Sequence, residues 1–252
     1  MILHHFKSLS PYADILGHAV TTREGGVSPK PFDSLNLAYH VGDLPDNVDR
    51  NHALLAEALA YDPASVVHMR QLHGNAVFQV DASYDYSFVP ECDALITNLP
   101  DRPLMVMVAD CIPILLFDPV THSIAAIHAG RTGLFCRVIT ETVHAMHKAY
   151  GTRAENLIAC LGGSIHACCY EVGEEIVREA EKLGLDYAVE KREERWYLDN
   201  TAIAKKELES CGVKRENIEE MDVCSGCRSD LLYSYRKEDR MTGRFAGVIV
   251  LR

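Results

Sequence analysis

Three short apolar segments in the middle of the chain constrain its fold more than any other feature. They span residues 104–108, 114–117 and 124–128, and an Asp118-Pro119 turn signal separates the last two. Apolar runs of about four to eight residues between turn signals are typical of strands buried on both faces. The segments therefore predict three adjacent strands in the core.

Helices and further strands surround these segments without strict alternation. Apolar spacing and terminal signals predict helices at about residues 48–60, 134–151, 172–183 and 201–211. Further strands are expected at residues 66–72, 76–80, 157–161 and 245–251. This order favours an α+β fold with layered sheets over a doubly wound parallel sheet. Because no repeat, low-complexity tract or linker divides the chain, we expect one domain over residues 1–252.

Charge and hydropathy argue against two classes of partner. The 252 residues include 36 acidic and 25 basic side chains, which gives a formal net charge of −11. Nucleic-acid binding needs a clustered surplus of lysine and arginine, so we expect no nucleic-acid partner. The most apolar stretch, residues 103–117, contains Asp110 and is shorter than the ~20 residues of a membrane span, so no membrane partner is expected.

The cysteines are interpreted through the compartment that the sequence predicts. The first residues lack the basic, apolar and small-residue pattern of a secretory signal, which indicates a cytoplasmic protein. In a reducing compartment, the nine cysteines are expected to be free thiols, metal ligands or a nucleophile.

Three side chains stand beside small residues at the ends of predicted strands: His73, Cys111 and His128. They are 38 and 17 positions apart, unlike the tight spacings of structural zinc sites. Imidazole and thiolate both bind zinc, and three such ligands leave a fourth position for water, as in catalytic sites. The alternative is that both histidines are hydrogen-bonded core residues and Cys111 is a small buried side chain.

The remaining cysteine motifs give weaker signals. Cys224 and Cys227 form a CxxC that is typical of half a zinc clip or of a redox pair. Since no second CxxC completes a clip, we expect a structural role for this pair. The adjacent Cys168 and Cys169 are interpreted as small residues in a packed turn.

A set of arginines provides candidate anion contacts. Arg50 follows the Gly42-Asp43 turn, and Arg236 and Arg244 lie among aromatic residues near the C-terminus. A guanidinium group suits the recognition of phosphate or stacking on a base, although most arginines are simply solvated surface groups. We select Arg50 and Arg236 as candidate substrate-binding residues.

Taken together, the motifs resemble a known family. The matching segments are QLHGNAV, CDALITN, VMVADCIPILLFDP, AAIHAG, CCYEVGEE, CSGC, LYSYRKE and TGRFAGVIVL. They occur in order over nearly the whole chain and resemble the YfiH-like proteins, also called the laccase-domain or polyphenol-oxidase family. That resemblance implies a layered α/β/β/α fold, and it implies a catalytic metal site at His73, Cys111 and His128.

The same resemblance implies an activity. Members of this family are regarded as purine nucleoside enzymes. The implied reactions are phosphorolysis of adenosine, inosine, guanosine and methylthioadenosine, and deamination of adenosine. Zinc is the implied cofactor, with copper as a competitor for the same ligands, and inorganic phosphate is the co-substrate. Some bacterial members instead carry the description peptidoglycan editing factor.

Two departures from the family pattern and three other functions remain open. Arg131 and Thr132 follow His-Ala-Gly where tryptophan and arginine are usual, and His166 lies in a segment that usually contains Gly-Pro.

One alternative function is that of a metal-independent hydrolase or deamidase with Cys111 as nucleophile and His128 as base. Others are a multicopper polyphenol oxidase and a non-enzymatic, metal-stabilised scaffold.

Overall fold

Two β-sheets lie between helices in this computed structural model, which describes residues 1–252. The strands, in chain order, are β1 (Leu3–His4), β2 (Leu16–Thr21), β3 (Val77–Gln79), β4 (Ala94–Thr97), β5 (Leu104–Val108), β6 (Ile112–Asp118), β7 (Ser123–Ala129), β8 (Ile158–Leu161), β9 (Glu171–Val172), β10 (Val189–Arg192), β11 (Arg195–Leu198), β12 (Ile218–Glu220) and β13 (Phe245–Leu251). The α-helices are α1 (Pro45–Leu59), α2 (Arg131–Phe135), α3 (Val138–Tyr150), α4 (Glu174–Lys182) and α5 (Asn200–Cys211). None of these helices has the length and apolar character needed to cross a membrane.

The order of the strands shows two mixed layers. One sheet has the order β1-β2-β13-β5, and the other has the order β12-β8-β6-β7-β4-β3. Most neighbours in the larger sheet are antiparallel, but β12 pairs with β8 and β3 pairs with β4 in parallel. A third, small sheet has the order β10-β11-β9.

Alternation along β6 explains how the sheets and helices pack. Leu115 and Phe117 point into the core between the two large sheets, whereas Ile114 and Leu116 point to the opposite face, where the helices pack. Successive side chains of a strand face opposite sides, so a continuously apolar strand fits a sheet that is covered on both faces. Helices α2, α3 and α5 cover this second face.

Helix α1 covers the outer face of the smaller sheet. Leu55 and Leu59 of this helix pack against Ala19, Met105 and Val248 of the sheet. The layers therefore run from α1 through the smaller and larger sheets to α2, α3 and α5, which confirms the predicted α+β fold with an α/β/β/α arrangement. Strand β13 matches the predicted residues 245–251, and α5 begins one residue before the predicted helix at 201–211.

Two expectations about the strands were wrong. Strand β5 is not adjacent to β6 and β7, because it pairs with β13 in the other sheet. The chain changes sheets between Val108 and Ile112, where Asp110 has a φ of 85°. Residues 66–72 form only isolated bridges, at Val67 and Arg70. Local periodicity indicates that a strand is buried, but it carries no information about its neighbours.

The helix predicted over residues 134–151 is interrupted. Helix α2 ends at Phe135, and α3 begins after Arg137, whose φ of 62° is left-handed. The expected glycine stop is confirmed, since Gly151 ends α3 with a φ of 74°. Gly130 precedes the first turn of α2 as its N-cap residue. The helix expected from residue 172 begins at Glu174 because Val172 belongs to β9.

Candidate active site

Cys111, His128 and His73 converge at one edge of the two sheets, and we call them the metal trio because their side chains are of the types that can hold a metal ion. Cys111 lies in the connection between β5 and β6, and His128 lies near the end of β7. His73 arrives from the irregular segment before β3. Their potential ligand atoms all lie within 4.8 Å of one another, and the two imidazole rings meet edge to face with centroids 4.7 Å apart.

Asp93 orients His128. One carboxylate oxygen of Asp93 accepts a hydrogen bond from Nδ1 of His128 at 2.8 Å, and both side chains are buried. A carboxylate bonded to Nδ1 fixes the ring and leaves Nε2 available as a ligand or base. Burial raises the pKa of Asp93, but the hydrogen bonds from His128 and from the Gly74 and His73 amides outweigh burial and hold that pKa below its usual value.

The same carboxylate also holds the segment that carries His73. It accepts hydrogen bonds from the backbone N–H groups of Leu72, His73 and Gly74 at 3.2, 2.9 and 2.7 Å. His73 has a φ of 61°, a conformation that non-glycine residues rarely adopt without such support. Asp93 therefore positions two members of the metal trio at once.

Cys111 and His128 form a coupled pair. Burial raises the pKa of the Cys111 thiol, but the charge and hydrogen bond of His128, together with those of His73, outweigh it and lower the pKa to about 6. Burial lowers the pKa of His128, but the Cys111 thiolate and Asp93 outweigh it and raise the pKa to about 9. Without a bound metal, this site favours a thiolate beside an imidazolium.

The backbone of Gly130 lies close to the side chains of the metal trio. A Cβ atom on Gly130 would lie 2.9 Å from Sγ of Cys111 and 3.3 Å from Cδ2 of His73. The close approach of this backbone is therefore possible only for glycine. Two imidazoles and a thiolate are borderline and soft ligands, so the donor set fits zinc and also fits copper.

A cavity of about 890 Å³ opens from the metal trio. Its wall combines apolar, aromatic and cationic side chains, among them Met69, Met107, Val108, Tyr39, Tyr170, Tyr235, Arg70, Arg131, Arg236 and Arg244. A concave site of this size, with a few convergent polar groups on an apolar wall, is typical of a small-molecule site. Four arginines thus line this cavity, although the chain has a formal net charge of −11.

Asp110, beside Cys111, links the metal trio to the C-terminal part of the cavity wall. Its carboxylate accepts hydrogen bonds from the hydroxyls of Ser225 and Ser234 at 2.7 and 2.6 Å and from the backbone N–H of Arg236 at 2.7 Å. These three bonds support the left-handed φ of 85° at Asp110. The conformation of the Cys111 segment is thus coupled to the segment that carries Arg236.

The candidate arginines separate into two groups. Arg236 and Arg244 line the cavity, as does Arg131, one of the two residues that depart from the family pattern. Arg236 donates to the Glu171 carbonyl at 2.8 Å and lies over the ring of Tyr170. Arg50, by contrast, is exposed on α1 and does not line the cavity.

Several residues of the site were not identified from the sequence. Asp93 is the first of these, although it stood within the quoted motif CDALITN, directly before a buried strand. Tyr170 is another, although it lies within the quoted motif CCYEVGEE. A polar residue at the end of a buried strand is the signal that pointed to His128, and it applies equally to Asp93.

One expectation about the cysteine pairs was wrong, and the structural role expected for Cys224 and Cys227 stays a prediction. The expectation that Cys224 and Cys227 lack partner ligands was wrong, because Cys168 and Cys169 pack against them. Such a contact joins positions more than 50 residues apart, so spacing rules cannot reveal it. His166 does not line the cavity and lies 3.9 Å from carboxylate oxygens of Glu220 and Asp222.

Comparisons with known proteins agree with this architecture. A protein of Streptomyces coelicolor named purine nucleoside phosphorylase is 41% identical over 234 residues, which cover 92% of this chain and 93% of that protein. A Bacteroides thetaiotaomicron protein of the same name is 32% identical over 257 residues, with coverage of 98% and 95%. The crystal structure of the Bacillus licheniformis hypothetical protein YfiH matches with a TM-score of 0.89 and 27% identity, covering 94% of this chain and 93% of that chain.

The family model described as multi-copper polyphenol oxidoreductase laccase matches residues 17–252, which is most of the chain. The matched range includes the metal trio, Asp93 and the arginines of the cavity. The chain therefore belongs to the multi-copper polyphenol oxidoreductase laccase family, together with the YfiH-type proteins.

Proposed function

We propose that this protein is a zinc-dependent purine nucleoside phosphorylase that also deaminates adenosine. The observation that carries this proposal is one cavity whose wall includes the metal trio, four arginines and three tyrosines. The names of the Streptomyces coelicolor and Bacteroides thetaiotaomicron relatives support the first activity. Adenosine, inosine, guanosine and methylthioadenosine are the proposed substrates, and inorganic phosphate is the co-substrate.

Phosphorolysis makes clear demands on the cavity. The glycosidic C–N bond breaks, an oxygen of phosphate bonds to the anomeric carbon, and the departing purine takes up a proton on a ring nitrogen. Positive charge develops on the sugar while negative charge develops on the purine. The site must therefore hold a phosphate anion against one face of the sugar and keep the planar base in a fixed orientation.

Arg236 and Arg244 are the proposed phosphate ligands, with Arg131 as a third cation. Arg244 donates to the carbonyls of Thr242 and Gly243 at 2.9 Å each, and Arg236 donates to that of Glu171. These bonds fix each guanidinium group and leave further N–H donors for phosphate oxygens. Arg50 is not part of this proposal, because it lies outside the cavity.

Tyr170 and Tyr235 are the proposed base contacts. Both rings line the cavity beside arginines, with Arg236 over Tyr170 and Arg244 over Tyr235. A purine gains stacking energy from such aromatic faces and from guanidinium planes. The apolar side chains of Met69, Met107 and Val108 exclude water around the base, which strengthens the polar contacts within the site.

The metal trio is the proposed zinc site. Bound zinc would supply a Lewis acid and lower the pKa of a water molecule, which is the chemistry that deamination of adenosine to inosine and ammonia requires. Asp93 keeps the His128 ring oriented through Nδ1, so that Nε2 faces the ligand position. Copper at the same ligands is the proposed origin of any polyphenol oxidation by a copper-loaded preparation.

The same geometry favours a second candidate function, a metal-independent hydrolase. Cys111, His128 and Asp93 provide a nucleophile, a base and a carboxylate that orients the base. In such a reaction, the Cys111 thiolate would attack a carboxamide carbonyl, and the His128 imidazolium would give its proton to the departing amine. A chelator distinguishes the two functions, because only the first depends on metal.

The test is a turnover assay with zinc-loaded protein. Adenosine and inosine are incubated with and without phosphate, and the products are resolved by chromatography. We expect phosphate-dependent release of adenine and hypoxanthine, and phosphate-independent formation of inosine from adenosine. Both reactions should be lost in Cys111→Ser and retained in Cys136→Ser, since Cys136 is exposed and does not line the cavity. Hydrolysis of a carboxamide in the presence of chelator, with no nucleoside turnover, would instead support the hydrolase.

A further inference from the structure

Four cysteine thiols meet away from the metal trio, at the surface between two loops. One loop precedes β9, and the other follows β12. These thiols, hereafter the cysteine cluster, belong to Cys168, Cys169, Cys224 and Cys227. Each is a free thiol, and all four sulfur atoms lie within 4.8 Å of one another.

Three of the six sulfur–sulfur separations are close to those around a tetrahedral ion. Sγ of Cys227 lies 3.5 Å from that of Cys168 and 3.4 Å from that of Cys169, and the last two are 3.9 Å apart. A tetrahedral zinc ion with Zn–S bonds of about 2.3 Å holds its sulfur ligands about 3.8 Å apart. Small shifts of these thiols would therefore complete a tetrathiolate shell.

The backbone around the cysteine cluster is arranged for thiolates. Sγ of Cys224 accepts a hydrogen bond from the backbone N–H of His166 at 3.4 Å, and this thiol is buried. A Cβ atom on Gly226 would lie 2.8 Å from Cβ and 3.0 Å from Sγ of Cys169, so only glycine lets the two loops approach this closely. Arg192 donates to the Ala167 carbonyl at 3.3 Å, which places a cation beside the cluster.

One of the two loops that the cluster joins lines the cavity, and the other contacts a residue that lines it. Tyr170, directly after Cys169, lines the cavity. Ser225, between the cysteines of the CxxC, donates to Asp110 at 2.7 Å. The loops are also joined by a bridge between Ser164 and Cys224 and by a backbone bond from Ser225 to Ser164 at 2.9 Å.

We propose that the cysteine cluster binds a second zinc ion, with a structural role. Four thiolates close the tetrahedral shell and leave no position for water or substrate, which is the pattern of structural zinc sites. The ion ties the loop before β9 to the loop after β12 and thereby stabilises the wall that carries Tyr170 and Asp110. The proposal does not depend on the activity of the metal trio.

Zinc content tests this proposal. Protein is purified under reducing conditions without added metal, and zinc per chain is measured by elemental analysis. We expect Cys227→Ser to hold about one zinc ion per chain less than its parent and to melt at a lower temperature, because structural zinc contributes directly to folding. Cys136→Ser is the matched control and should equal the parent in both measurements. Equal zinc in Cys227→Ser and its parent would overturn the proposal.

A second measurement tests the zinc site of the cysteine cluster even if Cys227→Ser fails to fold. Cys111→Ser removes a ligand of the metal trio and leaves the cysteine cluster intact. Its purified form should retain about one zinc ion per chain, and Co²⁺ exchanged into it should show the intense visible and charge-transfer bands of tetrahedral thiolate coordination. Absence of zinc in this variant, or iron in its place, would overturn the assignment. If Cys111→Ser holds no zinc while Cys227→Ser holds as much zinc as its parent, the proposal for the metal trio stands and the proposal for the cysteine cluster is refuted.

Discussion

Asp93 lies 2.8 Å from Nδ1 of His128 and accepts three backbone hydrogen bonds from the segment that carries His73. One buried carboxylate thus joins two members of the metal trio that are 55 positions apart in the sequence. The carboxylate orients the ring of one ligand and supports the left-handed conformation of the other.

Asp93→Asn is expected to weaken metal binding and turnover. The amide group cannot accept as many hydrogen bonds as the carboxylate, so either His128 or the His73 segment loses its support. We expect a loss of roughly 10- to 100-fold in metal affinity, measured by competition with a chromogenic chelator. Asp118→Asn is the matched control. Asp118 is also buried, but it lies at the end of β6 that is remote from Cys111, where it accepts hydrogen bonds from Val120 and Thr121. A similar loss of affinity in both variants would indicate a general effect on the fold.

Gly130→Ala is expected to abolish metal binding at the metal trio while the fold is retained. The added methyl group would lie 2.9 Å from Sγ of Cys111, which is too close for a real contact. Gly74→Ala is the control, because its methyl group would lie 3.6 Å from Asp93, an ordinary contact. Circular dichroism and zinc titration distinguish the outcomes. Normal zinc affinity in Gly130→Ala would contradict the placement of the ion.

Arg236→Ala is expected to raise KM for phosphate more than it changes kcat. A hydrogen bond to a charged group contributes about 1.5–3 kcal/mol, which corresponds to a rise of roughly 10- to 100-fold. Arg50→Ala should leave KM within about 2-fold of the parent, because Arg50 is exposed outside the cavity. Steady-state kinetics with varied phosphate tests this. Equal effects of the two substitutions would refute the assignment of Arg236.

The Cys111 thiol of metal-free protein is expected to react as a thiolate above about pH 6. Burial opposes ionisation, but His128 and His73 outweigh it, so the thiol loses its proton at lower pH than an ordinary cysteine. Alkylation by iodoacetamide, followed for the peptide that contains Cys111, should level off near pH 7. Added zinc should protect the thiol. A rate that continues to rise up to pH 9 would show an ordinary pKa.

Glu207→Gln is expected to stabilise the protein at pH 8. Burial raises the pKa of Glu207, against the opposing hydrogen bonds from Thr140, and Oε2 has no partner. A carboxyl group with a raised pKa in the folded state favours folding at low pH, and its contribution falls as pH rises through that pKa. The variant should therefore gain roughly 1 kcal/mol in free energy of unfolding at pH 8 and little at pH 4.

Urea titrations at the two pH values test this expectation. Glu209→Gln is the matched control, since Glu209 is exposed on the same helix and should change little at either pH. A gain of the same size at both pH values would mean that the charge of Glu207 is not its cause.

Local sequence patterns determined much of this protein. The continuous apolar run of residues 245–251 specified β13, and the apolar spacing before Gly212 specified α5 within one residue. The three members of the metal trio were selected because ligand-type side chains stand beside small residues at predicted strand ends, and the structure brings their ligand atoms within 4.8 Å of one another. These features depend on the spacing of apolar residues, every two residues in a strand and every 3.6 in a helix, and on the residues next to them. Both can be read directly from a sequence.

Only the tertiary structure decided which distant segments meet. It placed β5 in a different sheet from β6, brought Asp93 to His128, and left Arg50 outside the cavity. It also assembled the cysteine cluster from a vicinal pair and a CxxC that are separately unremarkable in the sequence. Contacts of this kind depend on how whole layers pack through their buried faces. That packing is a property of the complete chain, so no local spacing rule contains it.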